Sequence, residues 1–212
     1  MQLNKYMDHT LLKPNATRTQ IQRLCDEARE QGFATVSVNS CWTKFCAKRL
    51  IDSGVGVTTC IGFPLGACST AAKVAEANQA VEDGTSEIDM VLNVGMLLSG
   101  ERGYCVQDIH SVVKAAQGCP VKVILECCLL TDEQKVDACK IAVEAGASFV
   151  KTSTGFSIGG ATIHVVRLMR SVVGDKCKIK AAGGIHTKEE ALAMIEAGAD
   201  RIGASASVAI CS

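Results

Sequence analysis

Residues 142–151 read AVEAGASFVK. The first half is helix-forming, Gly146 breaks it, and Ser148 to Val150 turn towards a short apolar strand that ends on a charge, Lys151. Glycine suits the left-handed backbone that closes a helix. The same junction recurs as AVEDGTSEID at 80–89 and AMIEAGADRIG at 193–203, and more faintly as AREQGFATVSV around Gly32 and LIDSGVGVTTC around Gly54. A helix end, a glycine and a strand, repeated along the chain, describe βαβ units and a parallel sheet.

Working outward from these junctions, eight strands are expected, centred near Met7, Val36, Thr58, Ile88, Val123, Val150, Ile179 and Ile202. Amphipathic stretches such as TRTQIQRLCDEAREQ and KEEALAMIEAG lie between them, and Thr187 with Glu190 forms the pattern of a capping box. Eight strand–helix units in one run predict a single α/β (β/α)8 TIM barrel, with an open doubly wound sheet as the alternative. No Pro/Ser-rich linker divides the chain, so residues 1–212 read as one domain.

Composition narrows the function. Net charge is +0 and aromatic residues are 4%, which argues against nucleic acid and anionic membranes as partners. No apolar run approaches the roughly 20 residues of a membrane span. The N-terminus, MQLNKYMDHT, has no signal-peptide pattern. A cytoplasmic protein is therefore expected, with its 12 cysteines serving mostly as small core residues. The cysteine spacings show no C-x-x-C, the four histidines no H-E-x-x-H, the serines no G-x-S-x-G, and the glycines no P-loop.

The junction also lines up chemistry. Seven residues beyond Glu82, Glu144 and Glu196 stand Asp89, Lys151 and Gly203, each expected at or just beyond the carboxyl end of its strand. Active sites of such barrels lie at that face. Lys180, Glu126 and Asp8 belong to the same set. Lys151 alone reads either as a structural lysine paired with a carboxylate or as a nucleophile. Lys180 falls one βα unit later, so the two lysines are expected on neighbouring strands about 5 Å apart. Like charges that close disfavour each other, which would leave one amine free to attack a carbonyl. Asp89 would move protons or neutralise a lysine. Glu126 and Asp8 read equally as charge-balancing or direct participants. The glycines of AAGGI at 181–185 and IGAS at 202–205 read as tight turns or as a phosphate cradle of backbone N–H groups.

The chain resembles the deoxyribose-phosphate aldolases, class I Schiff-base enzymes. The stretches that carry this are DHTLLKP at 8–14, IGFPLG at 61–66, EIDMVLNVG at 87–95, KVILE at 122–126, FVKTSTGF at 149–156, KAAGGI at 180–185 and RIGAS at 201–205. The resemblance implies a metal-independent barrel without a cofactor, and an assembly of several copies of the chain. It implies that the partners are small aldehydes and sugar phosphates. Lys151 would form the Schiff base, and Asp89 and Lys180 would assist proton transfer and hold Lys151 unprotonated. Asp8 and Thr10 would stand behind them. Thr154, Gly155, Gly183, Gly184, Gly203 and Ser205 would surround the substrate hydroxyl and phosphate. The reaction implied is reversible cleavage of 2-deoxy-D-ribose 5-phosphate to acetaldehyde and D-glyceraldehyde 3-phosphate, in deoxynucleoside catabolism. A transaldolase-like enzyme or a non-catalytic sugar-phosphate binder are the alternatives. Against the family pattern, Ser37 and Ser40 replace a cysteine and a proline, and Ala206 replaces a serine. The chain stops at Ser212, soon after the eighth strand, which reads as a shortened C-terminal end.

Overall fold

The computed structural model describes residues 2–212. Its eight parallel strands are β1 (Met7–Leu11), β2 (Thr35–Asn39), β3 (Gly56–Ile61), β4 (Glu87–Val91), β5 (Val121–Ile124), β6 (Phe149–Lys151), β7 (Lys178–Ala182) and β8 (Arg201–Ala204). They pair in chain order, and β8 returns to β1 to close the barrel. The barrel expected from the repeat is thus observed, and the open sheet is not. Each expected strand centre falls within its strand.

Helices α1 (Arg18–Gln31), α2 (Thr43–Arg49), α3 (Thr70–Glu82), α4 (Val94–Leu98), α5 (Arg102–Ala115), α6 (Asp132–Glu144), α7 (Ile163–Val173), α8 (Lys188–Glu196) and α9 (Ser207–Cys211) follow the strands in turn, α4 and α5 both lying between β4 and β5. The junction glycines act as expected: Gly84, Gly146 and Gly198 take φ of +90°, +85° and +115° directly after α3, α6 and α8. The capping box of Thr187 and Glu190 opens α8, and two more open α1 (Thr17 with Gln20) and α6 (Thr131 with Gln134).

Side chains alternate across each strand, and here the alternation separates two chemistries. One set of positions holds Val36, Val38, Val57, Ile88, Met90, Val121, Val123, Val150, Ile179 and Ile202, all buried in the main apolar core. They meet the inner faces of the helices, for example Ile21 and Leu24 of α1 and Val166 and Met169 of α7. The other set includes Asp8, Thr35, Thr58, Glu87, Asp89, Lys122, Lys151, Lys180 and Arg201, which contact one another across the barrel. The usual filling of such a barrel is branched aliphatic. In this chain the apolar core is the shell between strands and helices, and the barrel's own interior is ionic.

All twelve cysteines are free, and seven are buried. Burial pushes the Cys127 thiol up to about 12 and the Cys177 thiol up to about 11, so both are small core residues and not thiolates. Among the described residues, no helix is long and apolar enough to cross a membrane.

Candidate active site

Strand register places Lys151 beside Lys180, Lys180 beside Arg201, and Asp89 beside Lys122. Charged residues thus occupy five adjacent strands, β4 to β8, with Asp8 of β1 and Glu87 of β4 completing the set. Asp89, Lys180 and Asp8 sit within their strands and not at the tips. The expectation of a charged rim is corrected in this respect: the charges form a layer inside the barrel, because the side-chain period of two carries every second residue inward.

Asp89 is the centre of this layer. Its Oδ2 accepts hydrogen bonds from Lys151 Nζ and Lys180 Nζ, both at 2.8 Å, and its Oδ1 accepts one from Lys122 Nζ at 2.9 Å. Lys180 Nζ also lies 2.5 Å from Asp8 Oδ2. Asp8 Oδ1 accepts hydrogen bonds from Arg201 Nη1 and from Thr35 Oγ1, each at 2.7 Å. Glu87 closes the network, with Lys122 Nζ at 2.6 Å and two hydrogen bonds from Arg201 at 3.1 Å. Burial by itself would raise the Asp89 carboxyl, but Lys122, Lys151 and Lys180 outweigh it and hold the group well below the usual carboxylate range. Burial would likewise lower the Lys180 ammonium, yet Asp8 and Asp89 hold it above the ordinary lysine value. Lys180 is therefore a fixed cation.

Four cations and three carboxylates make up the network, one positive charge in excess if all are ionised. The partners are unevenly shared. Lys122 reaches three carboxylates, and Lys180 and Arg201 two each. Lys151 has Asp89 alone. Lys151 is also the member that lines the cavity above the layer, a space of about 340 Å³. The amine with the weakest ionic hold is thus the one that faces the open space.

The cavity collects most of the remaining expected residues. Thr10, Thr154, Gly155, Gly183, Gly184, Gly203 and Ser205 all line it, whereas Asp8, Asp89 and Lys180 lie beneath. Thr10 donates its hydroxyl to the Asp8 carbonyl at 2.8 Å. Thr154 is held by Glu126, which accepts from both its N–H and its hydroxyl. Glu126 has φ of +53°, an uncommon value for a residue with a side chain, and its carboxylate anchors the 152–156 loop. Gly183 and Gly184 have φ of +88° and +75°. Gly203 has a different function from the one expected of a turn: a Cβ there would sit 3.0 Å from Lys180 Cε, so the missing side chain makes room for the lysine stem.

Sequence reasoning did not single out Lys122, Glu87 or Arg201. Strand parity carried the signal: Lys122 lies between Val121 and Val123, and Glu87 shares a face with Asp89. It also did not single out Lys13, Phe156 and His186, which line the cavity. His110 and His164 are exposed on helices.

With this geometry in place, comparison with known proteins gives a consistent picture. A family model described as DeoC/LacD family aldolase matches residues 3–212. The curated deoxyribose-phosphate aldolase 1 of Mesoplasma florum is 57% identical over 210 residues, covering 99% of this chain and 96% of its own. The deoxyribose-phosphate aldolase of Finegoldia magna is 56% identical over 210 residues, covering 99% of each. A solved structure described as the unique tetrameric structure of deoxyribose phosphate aldolase from Aeropyrum pernix has a TM-score of 0.92 at 33% identity, covering 99% of this chain and 89% of that one. The chain belongs to the DeoC/LacD family of aldolases.

Proposed function

We propose that this chain is a class I aldolase that reversibly cleaves 2-deoxy-D-ribose 5-phosphate to acetaldehyde and D-glyceraldehyde 3-phosphate. The observation that carries the reading is Lys151: a buried amine at a cavity, with one carboxylate partner and a permanently charged lysine next to it. The names of the relatives support the choice of substrate.

In the cleavage direction, the neutral Lys151 amine adds to the open-chain aldehyde carbon, C1. Loss of water gives an iminium, whose positive nitrogen draws electrons from the C2–C3 bond. The C3 hydroxyl gives up its proton, the C2–C3 bond breaks, and glyceraldehyde 3-phosphate leaves. The enamine left on Lys151 takes a proton at C2, and hydrolysis releases acetaldehyde and the free amine. Asp89 lies behind Lys151 and does not line the cavity, so it acts on the nitrogen, holding it and taking or returning its protons as the carbinolamine forms and collapses. Lys180 shares the same Asp89 oxygen and so limits how firmly Asp89 can hold a proton on Lys151. The backbone of Gly183, Gly184 and Ser205 and the Ser205 hydroxyl take the phosphate. Ala206 adds no hydroxyl there.

The enzyme works as an assembly of copies of the chain, a reading supported by the tetrameric description of the Aeropyrum pernix protein. The free, buried cysteines support a cytoplasmic setting. The test is turnover by the purified chain. Release of acetaldehyde from 2-deoxyribose 5-phosphate, with no turnover of ketose phosphates, is expected. Preference for ketose phosphates would make the protein transaldolase-like, and binding of sugar phosphates without turnover would make it a binder.

A further inference from the structure

The ionic layer does not stop beneath Lys151. From Lys151 Nζ it runs through Asp89 to Lys122 Nζ and on to Glu87, with steps of 2.8, 2.9 and 2.6 Å. Glu87 and Arg201 mark its far end, at the start of β4 and β8, where their side chains are 14% and 15% exposed while Asp89, Lys122 and Lys180 are fully buried. The floor is closed by Phe149, whose ring lies 5.6 to 5.7 Å from Lys122, Lys178 and Arg201. Neither Glu87 nor Arg201 lines the catalytic cavity.

We infer that the Glu87–Arg201 pair at the barrel floor sets the net charge of the network, and through it the pH at which Lys151 becomes a nucleophile. The two are positioning residues, acting through Lys122, Asp8 and Asp89. The inference rests on the aldolase reading and extends it to residues remote from substrate. Its basis is the count of charges. With Glu87 ionised, Lys122 divides its hold between Glu87 and Asp89. If the Glu87 charge is removed, Lys122 is left with Asp89 and the more distant Asp8, Asp89 holds Lys151 less, and the excess positive charge rises from one to two. If the Arg201 charge is removed, the excess disappears, and Lys151 retains its proton to higher pH.

Glu87 meets Lys122 from β5, Arg201 from β8 and the Thr58 hydroxyl from β3 at 3.2 Å. It also raises the nearby Cys119 thiol, although burial is the larger cause of that shift. Arg201 meets Asp8 from β1, Glu87 from β4 and the Phe149 ring from β6.

The test is the pH dependence of two readouts in the full-length protein. One is kcat/KM for cleavage of 2-deoxyribose 5-phosphate. The other is the rate at which acetaldehyde with cyanoborohydride alkylates Lys151, followed by peptide mass spectrometry. Glu87→Gln should move the acid limb of both profiles to lower pH, and Arg201→Gln to higher pH, each by about one pH unit. Glu87→Asp and Arg201→Lys, which keep the charge, should leave the limbs close to the parent. They remain informative if a charge-removing variant fails to fold: a limb displaced by a full unit in a charge-keeping variant contradicts the inference. Shifts of the same sign in both charge-removing variants, or none, overturn it and leave the aldolase reading standing. A parent chain with no alkylation of Lys151 at any pH overturns both.

Discussion

Lys151 differs from the other three cations of the barrel in how little holds it. Its ammonium has Asp89 Oδ2 at 2.8 Å and no second carboxylate, whereas Lys180 has Asp8 and Asp89. Two consequences can be measured. Replacing Asp89 with asparagine keeps the shape but removes both the proton acceptor and the charge that Lys122, Lys151 and Lys180 share. Turnover should fall by about 10²–10⁴-fold with the circular dichroism spectrum retained. Activity within a few-fold of the parent would make Asp89 structural. Replacing Lys180 with leucine removes the fixed cation and leaves three positive groups against three negative ones. The acid limb of kcat/KM should then move to higher pH, because Asp89 is free to hold the Lys151 proton. A limb that stays where it was, at near-full activity, would refute the role assigned to Lys180.

At the scale of elements, β7 and β8 show how a strand can serve a neighbour's side chain. Gly203 pairs with Ala182, and an added Cβ would meet both Ala182 Cβ and Lys180 Cε at 3.0 Å. Gly203→Ala should therefore displace the Lys180 stem and lower kcat several-fold. A variant with parental kcat and pH profile would show that the space is not needed. The junction repeat made these elements legible. Gly84, Gly146 and Gly198 ended helices where the sequence placed those ends, and the seven-residue count from Glu144 led to the lysine at the cavity. What was not legible was depth. Distance along a strand does not say whether Asp89 lies at the tip or inside, and that depends on the stagger of strands around the closed barrel. Lys122 was hidden for a related reason. A lysine inside an apolar strand is isolated in sequence, and its partners Glu87 and Asp89 come from another strand. Glu126 was visible as a charge, but its bond to Thr154 required the β5 and β6 loops to be brought together.

The molecule as a whole places its apolar contacts between strands and helices and its charges along the barrel axis, so stability and catalysis draw on different layers. Desolvating so many ions is costly, and pairing offsets the cost only while each partner keeps its charge. The pH dependence follows from the signs. Asp8 and Asp89 have lowered values in the fold: burial opposes the shift, and Lys180 and Lys122 respectively are the strongest of the cations that outweigh it. Their stabilisation is complete above the unfolded carboxylate value of about 4 and is lost as pH falls below it. Lys180 has a raised value, so its stabilisation is complete below the unfolded lysine value of about 10.4 and is lost only as pH rises beyond it. With respect to these groups, denaturant midpoints should be level from about pH 5 to pH 9 and fall on either side. A steep change between about pH 7 and pH 8, clear of the buried His9 and the buried thiols, would mean that the network does not carry the charges assigned to it. The central claim, that this ionic interior exists to present one amine to an aldehyde, is tested most directly by trapping. The protein is incubated with acetaldehyde, reduced with borohydride, digested and mapped by mass spectrometry. A single two-carbon adduct on Lys151 is the expected result. An adduct on Lys180 in place of Lys151, or none at all, would contradict it.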